Sequence, residues 1–264
     1  MYTYLSFMSR FRILTLMATV IAVNLRKGGS GKTTTAINLA AALHKTGRRT
    51  LLLDVDPQAN ATLAIGVDPL STPTTIVDLL QNSKLNTVDA IFRTNHGMHL
   101  ISGHPDLAKT EANIKAGQTG LLKGILEPLQ EQYDFIVIDT PPSESALTIN
   151  ALTAATYALI PLQAHFLALQ GLSQALEQIE RVRDAYNPSL KVAGILPTMV
   201  NPRTRISQLV LDQVRASHSE LLYPFVVDYS VKHSEATLAG IPIVLYDQFH
   251  SGALAYSKLA ETFL

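Results

Sequence analysis

The chain of 264 residues contains no cysteine, which excludes disulfides, thiolate metal sites and iron–sulfur clusters and fits a reducing cytosol. It has no apolar run of the roughly 18 residues that a membrane-spanning helix needs. Neither sign of charge is in excess: Lys+Arg and Asp+Glu number 21 each. No overall basic field therefore advertises nucleic acid, and DNA binding has to come from a local patch or from assembly. The eight histidines are scattered without metal-ligand spacing. Internal repeats, low-complexity tracts and a linker long enough to separate domains are also missing, so one domain is expected.

Residues 1–16 are aromatic and aliphatic, with Arg10 and Arg12 and no acid. They lack the charge-first order and the small-residue cleavage site of a signal peptide. Two readings stand, a short amphipathic arm or an over-long translation start with the real one at Met17. The second is favoured, because Met17 sits just ahead of the first apolar strand. The expected division is an N-terminal extension at 1–16 and a domain at 17–264.

Short apolar runs alternate with helical periodicity. Strands are expected at 19–25, 50–55, 98–102, 134–139, 156–161 and 191–199, and helices near 33–46, 74–82, 118–131 and 171–186. Runs 50–55 and 134–139 are nearly all apolar, as parallel strands covered on both faces must be. The pattern predicts a doubly wound α/β fold, a mostly parallel sheet flanked by helices. Residues 66–97 carry the densest turn signals and are expected to be an insertion or a mobile region.

Three motifs carry chemistry. Lys27-Gly28-Gly29-Ser30-Gly31-Lys32-Thr33-Thr34 joins the first strand to the first helix. Glycines let successive N–H groups converge on phosphate, Lys32 supplies a charge for the β/γ-phosphates, and the Thr33 hydroxyl can ligate Mg²⁺. The ordinary Walker A pattern wants glycine where Arg26 stands, so the octet fits the deviant form K-G-G-x-G-K-[ST]. Asp54 and Asp56 lie at the carboxyl end of a strand, on one side of it, where paired acids suit Mg²⁺ ligation through water and positioning of an attacking water. Phe135–Asp139 is an apolar strand ending in a carboxylate, a Walker B pattern that holds Mg²⁺. Pro141-Pro142 behind it stiffens a loop placed to sense the γ-phosphate. These residues describe a nucleotide-binding protein.

Together, Lys27–Thr34, Asp54–Thr62 and Phe135–Pro142 resemble the ParA/MinD family of deviant Walker ATPases. Leu169–Gln174, Thr198–Thr204 and the stretch from Ser234-Glu235-Ala236 to Tyr246-Asp247 are similar to later segments of Soj-like partition ParA proteins. The resemblance implies ATP and Mg²⁺ as cofactors and slow hydrolysis of ATP to ADP and phosphate. It also implies an ATP-dependent homodimer, nonspecific double-stranded DNA binding, and a ParB-like or other adaptor that stimulates hydrolysis. The cargo implied is a plasmid, a chromosome origin or a protein body, and the location is the cytoplasm, on the nucleoid when ATP is bound. Lys27 would be the signature lysine that reaches the partner's nucleotide, Asp56 would orient water, and Asn201 would meet the adenine edge. DNA candidates are Arg203, Arg205 and Lys232.

The chain departs from relatives in places. Arg26 precedes Lys27, Ser30 replaces valine, Ala59 replaces glycine, and the usual I-P-R-x-V-R-L-S-E-A becomes Val227–Ala236 with Lys232 as its one basic residue. The family's membrane-riding branch ends in a basic amphipathic helix. Here 253–264 hold one lysine and one glutamate, and their apolar stripe is expected to pack on the sheet, so membrane targeting is the lesser alternative. A metabolic ATP-dependent enzyme on the same fold is the other, although no acceptor-substrate constellation is visible.

Overall fold

The computed structural model describes residues 17–165 and 167–264; the expected extension at 1–16 lies outside them. Seven strands form one sheet: β1 Thr19–Val23, β2 Thr50–Asp54, β3 Phe92–Arg93, β4 His99–Ile101, β5 Phe135–Asp139, β6 Tyr157–Gln163 and β7 Lys191–Thr198. Their spatial order is β3-β4-β2-β5-β1-β6-β7. All neighbours are parallel except β3, which runs antiparallel to β4 at one edge. Pro161 sits in β6 beyond Leu159, the last residue that β1 pairs, so its missing N–H costs no ladder bond on that side.

Eleven α-helices lie among the described residues: α1 Lys32–Lys45, α2 Asn60–Ala64, α3 Ile76–Gln81, α4 Leu107–Ala112, α5 Leu121–Leu126, α6 Ala146–Ala154, α7 Ala168–Ala185, α8 Arg205–His218, α9 Lys232–Leu238, α10 Ile243–Tyr246 and α11 Ser251–Glu261. The period-two alternation of the strands splits the core. Val20, Ala22, Leu51, Leu53, Ile136 and Ile138 face one layer with α3, α5, α6 and α7. Ile21, Val23, Leu52, Phe135 and Val137 face the other, with α1, α10 and α11. Each fully buried aliphatic side chain contributes roughly 1.5–3 kcal/mol, so both faces are held by the same kind of force.

The doubly wound expectation matches this architecture. Several local expectations are corrected. Residues 66–97 are no loose insertion: Thr75 caps α3 with a reciprocal box to Asp78, and Ile76, Val77 and Leu79 are buried in the core. The helix expected at 118–131 divides into α5 and a 3₁₀ turn at Glu127–Leu129, because Pro128 cannot donate to an α-helical ladder. The C-terminal stripe meets the sheet only at its end, where Phe263 packs edge-on against Tyr157 of β6; α11 itself lies on α1. Thr35 to Leu43 of α1 are consequently buried without interruption, between sheet and α11.

Candidate functional site

At the sheet centre β1 ends at Val23, and the chain loops through Arg26–Gly31 before α1 begins. Gly29 (φ 69°) and Gly31 (φ 87°) take left-handed conformations, which glycine adopts without steric cost. Thr35 N donates to Gly31 O at 2.8 Å, starting the helix. No side chain caps the α1 N-terminus, so its first N–H groups stay available to an anion. The loop is braced from both sides. Ser30 Oγ donates to Lys27 O at 3.1 Å, and Thr198 Oγ1, at the end of β7, donates to Ser30 O at 2.8 Å.

Lys32 is only 6% exposed, and its Nζ donates to Lys27 O at 3.1 Å. Burial pushes its pKa down, while the Asp139 and Asp56 carboxylates oppose the change. Lys27 Nζ reaches Gln163 Oε1 at 3.4 Å, the long end of a hydrogen bond. Arg26, where an ordinary Walker A glycine would be, pairs with Glu144 at 3.1 Å. Arg181 of α7 grips the same carboxylate, so the loop after Pro142 is tethered to both the phosphate loop and α7.

The acids divide by environment. Asp56 lines the cavity, and its Oδ1 accepts from Gln58 N at 2.9 Å. Burial raises its pKa, against the Gln58 N–H and the Lys32 charge. Asp139 stands in register with Asp54 across β5 and β2. It is fully buried; the Thr33 hydroxyl stands beside it, but neither oxygen receives a hydrogen bond of ordinary geometry. Burial, then the adjacent Asp54, holds its pKa well above the carboxylate range, opposed by the Thr33 hydroxyl and by Lys32. A buried carboxylate without partners, beside an oxygen-bearing Thr33 and a cluster of phosphate-facing N–H groups, fits a hydrated hard cation.

Asp54 behaves otherwise. Thr62 donates to its Oδ2 through N at 2.9 Å and Oγ1 at 2.8 Å, and Asp56 N donates to Oδ1 at 3.1 Å. A Cβ on Gly103 would come within 2.8 Å of the Asp54 Cγ. Burial raises the pKa of Asp54 to about 6. Alternation aimed it beside Asp56 as expected, but its contacts make it the anchor of the turn into α2 rather than a cavity-facing metal ligand.

The phosphate loop and Asp56 open on a cavity of about 660 Å³ rimmed also by Met199, Leu238 and Pro242, with Asp139 and Asp54 buried behind its lining. A second lobe of about 410 Å³ continues between Thr34, Met199, Val227–Ser230 and Tyr256. Such volumes suit a nucleotide-sized ligand. His233, on α9, borders both lobes. Its ring packs edge-on against His250 and Tyr256, its nitrogens have no partner, and burial lowers its pKa, assisted by His250 and opposed by Asp228.

Asn201 borders neither lobe. Its Oδ1 accepts from Arg203 N at 3.0 Å, closing the turn before α8, so the expected adenine contact is not formed by this placement. Met199 (φ 51°), Tyr229, His233 and Tyr256 line the lobe instead. Met199, Tyr229 and His233 lie in segments matched to the family, though the match singles out none of them as a site residue; Tyr256 joins them through tertiary packing and gives no local signal. Arg203 and Arg205 are exposed and free of ion pairs among the described residues, whereas Lys232 Nζ is held by Glu235 at 2.8 Å. The three DNA candidates are thus not equivalent. No helix among the described residues is long and apolar enough to cross a membrane.

The AAA domain family profile matches residues 18–192. The chromosome partitioning protein ParA of Caulobacter vibrioides is 41% identical, over 92% of this chain and 92% of that one. The sporulation initiation inhibitor protein Soj of Bacillus subtilis is 38% identical, over 93% and 98%. Among solved structures, cobyrinic acid a,c-diamide synthase from Mycobacterium smegmatis, with bound ATP analog and magnesium, is similar with TM-score 0.79 and 37% identity, over 92% of this chain and 93% of that one.

Proposed function

The chain belongs to the ParA/Soj family of partition ATPases, and on that premise we propose that it is an ATP-driven DNA-riding switch. ATP binds with Mg²⁺ in the 660 Å³ cavity, two copies close on their nucleotides, and the pair binds duplex DNA without sequence preference. A ParB-like or other adaptor stimulates hydrolysis, ADP forms, and the protein leaves the DNA. The protein resides in the cytoplasm, on the nucleoid when ATP is bound, and positions a plasmid, a chromosome origin or a protein body.

The observation that carries the reading is the partnerless Asp139 carboxylate buried beside Lys32 and Thr33. Bound Mg²⁺ neutralises charge building on the β- and γ-phosphates; Thr33 and Asp139 would hold it, Asp139 through water. Lys32 would leave the Lys27 carbonyl for the phosphates. Asp56, at the cavity wall, would orient the attacking water. Lys27, held only by a 3.4 Å bond to Gln163, is free to swing toward a partner's nucleotide and stabilise charge there. Arg203 and Arg205 would meet DNA phosphates, doubled in number by dimerisation, with Lys232 a weaker contributor because Glu235 engages it.

The test is fluorescence anisotropy of a random-sequence duplex titrated with protein, with ATP·Mg²⁺ against ADP·Mg²⁺, at two salt concentrations. Binding with ATP alone that weakens with salt is expected. Absence of binding in both states would overturn the DNA-riding switch. A second reading, a metabolic ATP-dependent enzyme, is favoured by the 37% identity to the cobyrinic acid a,c-diamide synthase. ATP turnover that requires a small acceptor molecule would select it. A membrane-surface role is disfavoured because the apolar face of α11 is covered by α1.

A further inference from the structure

A cavity of about 450 Å³ opens at the pole opposite the nucleotide site. Parallel strands set the two apart: phosphate loop and acids follow strand carboxyl ends, whereas this cavity gathers the end of α1, the start of β2 and the β3–β4 hairpin. Arg48, Arg49 and Arg93 meet His44 and His99 there. In a chain with 21 basic and 21 acidic side chains, that concentration is local, and one carboxylate, Asp134, answers it.

The carboxylate that approaches the cluster is Asp134, and it is already engaged. It accepts from Arg49 N at 2.8 Å and from Arg49 Nη2 at 2.8 Å. Arg48 and Arg93 are exposed, and among the described residues their guanidiniums have no ion pair or hydrogen bond. Some of the charge has a local reason, since His44 and Lys45 complement the carbonyl end of α1. Arg93 comes from a strand at the sheet edge and has no such reason. His99 reports the field: Arg93 and His44 add to burial in lowering its pKa. Its Nδ1 lies 2.7 Å from the Tyr133 hydroxyl, which fixes the ring at the cavity wall.

We infer that this cavity is an anion site for a phosphoryl-bearing ligand, clamped by Arg48 and Arg93 with His44 and His99 as further donors. Guanidiniums match phosphate oxygens in forked pairs, and the volume admits a pyrophosphate or a nucleotide-sized group. The phosphates could be those of a small metabolite or of a nucleic-acid backbone, and both offer the same chemistry.

The full chain is saturated with ADP·Mg²⁺, so that the phosphate loop is filled, and titrated calorimetrically with inorganic pyrophosphate in excess Mg²⁺. Wild type is expected to bind, and R48Q/R93Q to bind at least about tenfold more weakly, as loss of charge-assisted bonds requires. R203Q/R205Q should bind as wild type, and ATP turnover of R48Q/R93Q should be unchanged, which reports intact folding. The His99 imidazole resonances should move on pyrophosphate addition. Equal affinity in wild type and R48Q/R93Q, no binding by wild type, or unmoved His99 resonances would overturn the site. Competition by a short duplex supports the site and identifies backbone phosphate as the source; binding without competition supports it and identifies a small metabolite. The site rests on none of the ATP gating in the proposed function: duplex competition in the ADP state would establish the site while removing that gating, and pyrophosphate binding without competition leaves the switch untouched, so the two can fail separately.

Discussion

On one side of the nucleotide cavity, Gly28–Thr34 presents backbone N–H groups and one buried lysine. On the other, Met199, His233, Leu238 and Pro242 present side chains from segments that meet only in the folded chain. The first wall is made by local geometry: two left-handed glycines, a helix start and a strand before it. The second is made by packing α9, α10 and α11 on one another and on α1, beside the residue that follows β7. Phosphate recognition therefore survives wherever the octet survives, while the base-side wall can be rebuilt by distant substitutions. The family profile that stops at residue 192 divides the chain near the same place.

The largest effect should follow from breaking the first wall. Lys32→Ala should weaken ATP binding on the order of 100-fold by calorimetry, since a desolvated charge aimed at phosphate has no replacement. Wild-type affinity in that variant would remove Lys32 from the phosphate site.

Asp139→Asn probes the cost of preparing that wall. Because burial raises the Asp139 pKa from the ordinary 3.8, the unfolded chain gives up the proton first. Stability is then lost as pH rises through that window, and the deficit persists at neutral pH. The variant should lose ATP turnover, yet gain about 1–3 kcal/mol toward urea unfolding in the absence of nucleotide. A less stable nucleotide-free variant would contradict a partnerless, strained carboxylate.

The second wall is sharpened by pH. His233 has a lowered pKa, so below the ordinary value of 6.5 the unfolded chain binds the proton first. Stability should be full above about 6.5 and fall as pH drops through that value toward the folded-state pKa, with a slope of up to about 1.4 kcal/mol per unit. His233→Leu should flatten the slope; an unchanged urea midpoint profile between pH 7 and 5 would exclude His233 as its source.

The smallest effect is local. Ala59 holds φ 49°, a left-handed conformation that favours glycine, so the turn bears the Cβ strain. Ala59→Gly should stabilise by about 0.5–1 kcal/mol, net of glycine's unfolded-state entropy. A lower thermal midpoint would show that the turn relaxes around alanine.

The same contrast explains what can be read from residues alone. The sheet, α1, the meeting of Lys32, Thr33 and Asp56 at one cavity and the place of Asp139 at a strand end are legible because strand alternation and loop spacing are short-range patterns. Asp54 is half legible: its side of the strand follows from alternation, but Thr62, eight residues on, decides that its oxygens face a turn. Asn201 is misplaced by sequence because a segment match fixes the backbone neighbourhood and not the direction of a side chain. The helices α2, α4, α6, α8, α9 and α10 escape for a related reason. Most are short, and α8 has an apolar stripe narrowed to Val210 and Val214. Residues 66–97 read as loose chain because their turn signals are visible in sequence and the burial of Ile76 and Leu79 is not.

The strand order has a consequence for synthesis. β1 pairs with β5 and β6, in the registers Thr19↔Phe135 and Ile21↔Tyr157, both made long after it. A ribosome that has just released the phosphate loop has produced its letters but no seat for it. Until the strand ending at Asp139 emerges, that glycine-rich stretch is a tether without a sheet, and non-local pairing of this kind is slow to form. The stretch of the chain most easily recognised on paper is among the last to become a binding site in the cell.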